Sequence, residues 1–243
     1  MLNSEEKTRI LNILKNGEMT IDGQFSWGSN FTLLCSVVLE KESIPAVYKP
    51  ARGERPLWDF PEETLGKRET AAYLISEAGG WHMVPPTIYR TDAPEGEGSL
   101  QYFIPHDSEI TYFSLSAAEK QSLQTVVLFD LVINNTDRKG GHILRDKDLN
   151  YWLIDHGVSF HQTPKLRTVV WDFAGQPISD SLLEQLSALK GKLKNSFELS
   201  KSLLDYISVE ELQAMHERIS LVLETGIFPL PGEEVYPYPW PPV

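Results

Sequence analysis

Two aspartates and a histidine in one short stretch are the side chains best placed to do chemistry. Asp137 opens the run Asp137-Arg138-Lys139-Gly140-Gly141-His142, and Asp155 lies inside Ile154-Asp155-His156-Gly157, eighteen residues on. The stretch between them reads as a short β-hairpin, which returns the second aspartate to the mouth that holds the first. Phosphoryl transfer asks for such a pair. One carboxylate orients the attacking hydroxyl, and the other, at a strand end, binds a divalent cation on the nucleotide phosphates.

Plainer duties exist for each residue. Asn134-Asn135-Thr136-Asp137-Arg138 could cap the helix before it, and Asp155 could simply end a strand. Five consecutive polar residues leaving a buried helix nevertheless require hydrogen-bond partners or a function. Asp155 follows the apolar Trp152-Leu153-Ile154, another sign of a strand end facing a cleft. His142 has three readings: metal ligand, hydrogen-bond partner within the loop, or base. Its neutral imidazole suits Mn²⁺ better than the hard, oxygen-seeking Mg²⁺.

Upstream, Lys49 ends the strand-like run Pro45-Ala46-Val47-Tyr48-Lys49-Pro50. A lysine so placed reaches the α- and β-phosphates when a carboxylate holds its ammonium, and Glu69 on the next helix is the natural partner. The alternative is an ordinary surface lysine and a helix-face glutamate. Ser26, Gly28 and Ser29, in Ser26-Trp27-Gly28-Ser29-Asn30, suit a loop that covers phosphates with backbone N–H groups and hydroxyls. A Gly-Ser-Asn hairpin turn explains them equally well.

The elements that must position these residues fall into two halves. Ser4 is placed to cap a first helix with Ile10, Leu11, Ile13 and Leu14 on its apolar face. Strands are expected near 19–22, 32–39, 46–49, 87–90 and 100–104, with one inserted helix over 65–78. Pro105 ends this α+β N-terminal lobe, residues 1–105. In residues 106–243, Ser116-x-x-Glu119 is a capping box opening a long apolar helix through Ile133. Further helices follow at 180–189, 196–207 and 208–224. The tail over 229–243 carries six prolines among Tyr236, Tyr238 and Trp240; it is a recognition peptide or a polyproline segment docked on the body, and docking is favoured because those aromatics need cover.

Composition bounds the partners. Hydrophobic content of 41% supports a packed core, and a net charge of −12 disfavours nucleic acid or an anionic membrane surface. Cys35 is the single cysteine and sits in an apolar run, which fits a small buried hydrophobe better than a nucleophile. The N-terminal stretch reads as a charged amphipathic helix rather than a signal peptide, and no apolar run is long enough to span a bilayer. A cytoplasmic setting is the expectation. The sequence sets no oligomeric state.

With these residues in hand, the chain resembles the phosphatidylinositol 3-/4-kinase-like superfamily, most nearly the type II phosphatidylinositol 4-kinases and their uncharacterised bacterial relatives. The likeness is carried by Val47–Pro50, Leu74–Gly79, Asn135–His142 and Leu153–Phe160. It implies a two-lobed protein-kinase-like fold that binds ATP with Mg²⁺ or Mn²⁺. By the same likeness, Lys49 would lie on the ATP phosphates, with Glu69 as its partner. Asp137 becomes the catalytic-loop aspartate and Asp155 the main metal ligand. Gln101, Phe103 and Ile104 belong to an interlobe hinge that holds adenine.

Two departures stand out. The family loop reads Asp-Arg-His-x-x-Asn, whereas here Lys139 replaces the histidine and His142 the asparagine. Only Lys165 and Arg167 lie near the second aspartate motif, too few for an inositol phosphate headgroup. The acceptor expected is therefore a hydroxyl of a protein or small polar molecule. A nucleotide-binding regulator with little turnover, or AMP transfer from the same site, are the alternatives.

Overall fold

The computed structural model describes residues 2–25, 31–232 and 236–243. The first helix, α1 (Ser4–Asn16), is capped one residue earlier than expected. Asn3, not Ser4, accepts from the Glu6 N–H at 2.9 Å, and Glu6 returns a bond to the Asn3 N–H at 2.8 Å. Ile10, Ile13 and Leu14 of α1 pack on an antiparallel sheet of β1 (Glu18–Gln24), β2 (Leu33–Leu39) and β3 (Glu42–Pro50). The chain then forms α2 (Leu65–Ala78), β4 (Thr87–Arg90) and β5 (Gly98–Tyr102), giving the sheet order β1-β2-β3-β5-β4.

Strand alternation does the positioning. In β3, Ile44, Ala46 and Tyr48 are buried in the core under α1, so Lys49 projects to the opposite face. Cys35 of β2 is fully buried in that same core, and burial raises its thiol to about 12, which makes it an inert packing group. Helix α2 is not the one-sided amphipathic helix its sequence suggests. Leu74 is only half-buried, whereas the charged Arg68 and Glu69 are buried, because α2 is enclosed on more than one side.

The second half is mainly helical: α3 (Ala117–Gln121), α4 (Gln124–Ile133), the hairpin β6 (Ile143–Arg145) and β7 (Tyr151–Leu153), then α5 (Asp180–Asn195), α6 (Phe197–Leu204) and α7 (Val209–Thr225). The single long helix expected from Ser116 is broken in two. The capping box of Ser116 and Glu119 is present, but the Ser122 and Leu123 N–H groups close tight i→i+3 bonds on Glu119 and Lys120. That tightening carries Leu123 into the core, where it is fully buried, and α4 starts afresh beyond it.

Helix α4 is apolar almost all round, with one exception. Asp130 is fully buried and pairs with the equally buried Arg138, whose Nε lies 3.0 and 3.1 Å from its two oxygens and whose Nη2 lies 3.0 Å from one of them. Removing one member of such a pair strands the other charge in the core. Asp130→Ala should therefore lower the free energy of unfolding by about 3–5 kcal/mol. Urea denaturation measures this, and a loss below about 1 kcal/mol would show that the pair does not hold the loop.

Candidate active site

The exit of α4 shows why Asp137 stands apart from its polar neighbours. Asn134 terminates the helix in a left-handed conformation (φ 52°), and its side chain bonds the carbonyls of His161 and Thr163 and the N–H of Lys165. Asn135 donates to Asp130 and accepts from the Asp137 N–H, and the Thr136 hydroxyl donates to the Val158 carbonyl. Arg138 turns inward to Asp130 and donates to the carbonyls of Ile154 (2.8 Å) and His142 (3.2 Å). Four of the five polar residues thus build the loop. The Asp137 carboxylate is left half-buried at the cleft, where among the described residues its ion pair is with the Lys139 ammonium at 3.4 Å.

Arg138 also ties the ends of the hairpin together, because its two carbonyl partners are the residue before β6 and the residue before Asp155. Asp155 then adopts a positive φ of 64°, which turns its side chain out of the strand line. One of its oxygens lies 2.7 Å from Lys49 Nζ and the other 3.1 Å from His142 Nε2. Lys49 Nζ is also 2.5 Å from Glu69 Oε1, while Glu69 Oε2 accepts from the His156 N–H at 2.9 Å. The structure therefore brings Lys49, Glu69, His142 and Asp155 into one chain of contacts, with Asp137 on the same loop as His142.

Gln101 and Ile104 are occupied differently. The Gln101 amide donates to the Thr87 hydroxyl, and Ile104 is buried against Leu144 and Trp152. Phe103 is half-buried, its N–H bonded to the Pro45 carbonyl beyond the end of β5. This segment passes from the sheet to the β6–β7 hairpin. Ser26, Gly28 and Ser29 lie outside the described residues.

Charge decides the electrostatics. Burial raises the Glu69 carboxyl, but the Lys49 ammonium and the neighbouring His156 outweigh it and hold Glu69 down to about 2. Burial also raises Asp155, and Lys49 and His142 again win, holding it well below the carboxylate range although its side chain is 49% exposed. Burial lowers the Lys49 ammonium, and Asp155 and Glu69 more than reverse that. Asp137 goes the other way. Burial raises its carboxyl against the pull of Lys139 and His142, which makes it a better proton acceptor than its neighbour Asp155.

Among the described residues, no group of three or more His, Cys, Asp or Glu side chains is arranged to hold a metal ion unaided. Asp155 with His142 offers two to three donors. That is a partial shell of the kind a nucleotide-bound Mg²⁺ or Mn²⁺ completes with phosphate oxygens and water. His142 serves the loop as well, since its Nδ1 accepts weakly from the Lys139 N–H at 3.4 Å.

Three supports escaped the sequence. Asp130 could have been found, because a lone carboxylate inside Val126-Val127-Leu128-Phe129-Asp130-Leu131-Val132-Ile133 is an anomaly that demands a buried partner. Arg68 gave no local signal. It is buried, donates to the Ser159 carbonyl at 2.8 Å and pairs with Glu211 of α7 at 2.6 Å, contacts that only the fold creates. The bond from Glu69 to the His156 backbone was equally illegible.

Comparison with known proteins bears on the family and the fold. The chain is 36% identical to the protein Rv2133c of Mycobacterium tuberculosis, across 94% of both. It is 28% identical to phosphatidylinositol 4-kinase gamma 7 of Arabidopsis thaliana over 51% of this chain and 24% of that protein. No family model matches. Among solved structures, a Golgi casein kinase with Mn/ADP bound superposes with a TM-score of 0.63 at 16% identity, covering 100% of this chain and 81% of that one. The Helicobacter pylori proinflammatory kinase CtkA gives 0.54 at 12%, covering 88% and 94%. The fold is kinase-like, with an α+β sheet half and a helical half.

The cluster also sets the response to acid. Glu69 and Asp155 are held below their ordinary values, so the unfolded chain binds more protons than the folded one in acid. Their contribution to stability is complete above about pH 4.5 and is lost as pH falls toward 2. In Lys49→Met, Glu69 loses the larger of the two influences that hold it down and keeps only His156 against burial, so its contribution shrinks. Urea midpoints measured from pH 7 to pH 3 should fall steeply in the wild type and less steeply in the variant. Parallel curves would contradict the assignment.

Proposed function

We propose that this chain, which belongs to the same family as the Mycobacterium tuberculosis protein Rv2133c, is an ATP-dependent phosphotransferase. The observation that carries the reading is the bridge of Lys49 between Glu69 and Asp155, with Asp137 on the adjoining loop. A half-buried lysine paired with a buried glutamate, beside a strand-end aspartate, is the arrangement that phosphoryl transfer uses to hold nucleotide phosphates. The division at Pro105 makes residues 1–105 the nucleotide-holding lobe and 106–243 the lobe with the catalytic loop. In this reading the segment Gln101–Ile104 faces adenine.

Lys49 leaves Asp155 for the α- and β-phosphates while Glu69 keeps its ammonium on station. Asp155, with His142, would hold Mg²⁺ or Mn²⁺, which supplies charge neutralisation on the phosphates when bound. Asp137 takes the hydrogen bond of the acceptor hydroxyl and receives its proton. As the acceptor oxygen bonds to the γ-phosphorus, the bond from that phosphorus to the β,γ-bridging oxygen breaks, and ADP leaves with the electron pair. Lys139, beside Asp137, is placed to meet the charge of the moving phosphoryl group.

A relation to the phosphatidylinositol 3-/4-kinases is the finer reading, supported by the Val47–Pro50 and Asn135–His142 motifs and by the partial likeness to the plant enzyme. The sparse basic residues after Asp155 favour a hydroxyl on a protein or small polar molecule over a phosphoinositide. The setting proposed is cytoplasmic. Among the described residues no helix is long and apolar enough to cross a membrane.

Two substitutions separate the roles. Asp155→Ala should abolish metal-dependent ATP binding, read by thermal shift with and without Mn²⁺. Asp137→Ala should keep that binding and lose about 10²–10⁴-fold in turnover. Full turnover in either variant would overturn its assignment, and binding without turnover in the wild type would point to a regulator. His142→Asn should move the preferred ion from Mn²⁺ toward Mg²⁺, because an amide oxygen replaces imidazole nitrogen. Unchanged activity ratios with the two ions would leave His142 as a loop hydrogen-bond partner alone.

A further inference from the structure

The C-terminal tail touches the catalytic loop at the point where that loop has least of its own to hold it. Gly140 and Gly141 form the outer bend between Asp137 and His142. The Gly140 N–H donates at 2.8 Å to the carbonyl of Pro242, 102 residues further along the chain. A Cβ at Gly140 would meet the Phe113 ring at 2.8 Å, so the bend is clamped between that ring and the tail.

A second anchor lies five residues back along the tail. The Pro237 carbonyl accepts both the Thr168 N–H and the Trp171 indole N–H, each at 3.1 Å. Thr168 is fully buried, and its segment is bonded directly to the catalytic loop: the Arg138 N–H donates to the Arg167 carbonyl, and the Val169 N–H donates to the Arg138 carbonyl. The tail thus grips the loop directly at Gly140 and indirectly through the 167–169 segment.

Proline chemistry explains why this segment suits the task. Prolines supply no N–H and keep φ near −65°, so a proline-rich run is stiff and presents carbonyls that its own backbone does not use. The aromatic side chains contribute little cover: Trp240 is 82% exposed and Tyr236 66%. Docking is therefore through main-chain acceptors and the buried Pro239, contrary to the expectation that buried aromatics would hold the tail. The described hydrogen bonds of the tail go to Gly140, Thr168 and Trp171, on the Asp137 side, and among the described residues none goes to Lys49 or Glu69.

We propose that residues 236–242 are a positioning strap for the catalytic loop, fixing the Asp137–His142 bend for phosphoryl transfer while leaving nucleotide binding untouched. The inference rests on the phosphotransferase reading for its effect on turnover, and on main-chain contacts alone for its effect on the loop. Were the strap released, the Gly140 and Thr168 N–H groups would lose their acceptors and the Gly-Gly bend would gain freedom.

The test keeps the chain at full length. Replacing Pro237, Pro239, Pro241 and Pro242 with glycine raises the entropy of the free tail, and Trp171→Phe removes one of its donors. In the combined variant, ATP affinity with Mn²⁺ should stay within about twofold of wild type. Release of phosphate from ATP, with water as acceptor, should fall at least about tenfold, since small misplacements of catalytic groups cost that much or more. Hydrogen exchange of the 138–142 amides should quicken at least about tenfold, with peptides around Glu69 unchanged.

Unchanged exchange at 138–142, or turnover equal to or above wild type, would overturn the strap. If the wild-type chain neither binds nor turns over ATP, the phosphotransferase reading fails by itself. Exchange at 138–142 still decides whether the tail holds the loop.

Discussion

The site depends on a charge pair that never meets water. Asp130 sits in the middle of α4, within the larger core, and its partner Arg138 comes from the loop that leaves the same helix. A guanidinium has five N–H donors in a fixed fork, and here they are spread over one carboxylate and two backbone carbonyls. The carbonyls belong to His142 and Ile154, so one side chain sets where the loop ends and where the Asp155 turn begins. The desolvation cost of burying both charges is offset only because nearly every donor finds an acceptor. Asp137 lies next to Arg138 in sequence and faces the other way, which is how a rigid interior gives a half-buried carboxylate a fixed address.

Across the cleft the same logic is repeated with charges that are less deeply buried. Glu69 reaches in two directions, to the ammonium of Lys49 on β3 and to the backbone of His156 beyond the hairpin. Its neighbour Arg68 ties α2 to Ser159 and to Glu211 of α7. Consecutive residues of one helix thus couple the sheet to the Asp155 turn and to the helical half. A shift of α2 would move Lys49 and the Asp155 turn together, which links the packing of the two halves to the geometry of the cleft.

Much of this was legible in the chain itself, for physical reasons that differ from element to element. The strands lay near the strand-like runs of the sequence, and Lys49 was read as the end of one of them; which face it takes is set by the burial of Ile44, Ala46 and Tyr48. The aspartate loop was legible because unpaired polar residues at a buried helix end are costly and so demand explanation. The break between α3 and α4 was not, since a capping box and an apolar run look the same whether or not tight turns at Ser122 and Leu123 intervene. Glu69 was legible as the partner of Lys49, but Arg68 and the bond from Glu69 to His156 were not, because those partners lie 91 and 87 residues away in sequence. The tail was expected to dock through its aromatics. It docks through proline carbonyls, which carry no signature in hydropathy.

The central claim is that this cleft moves the γ-phosphoryl group of ATP, with Asp137 orienting the acceptor and Asp155 holding the metal end. Parallel incubations with ATP labelled on the γ- or the α-phosphate, in Mn²⁺, test it most directly. Label from the γ-position should pass to the protein, an added acceptor or water, and label from the α-position should stay in ADP. Transfer of the α-label would show an AMP transferase built on the same site. No movement of either label, from a chain that binds the nucleotide, would contradict the account.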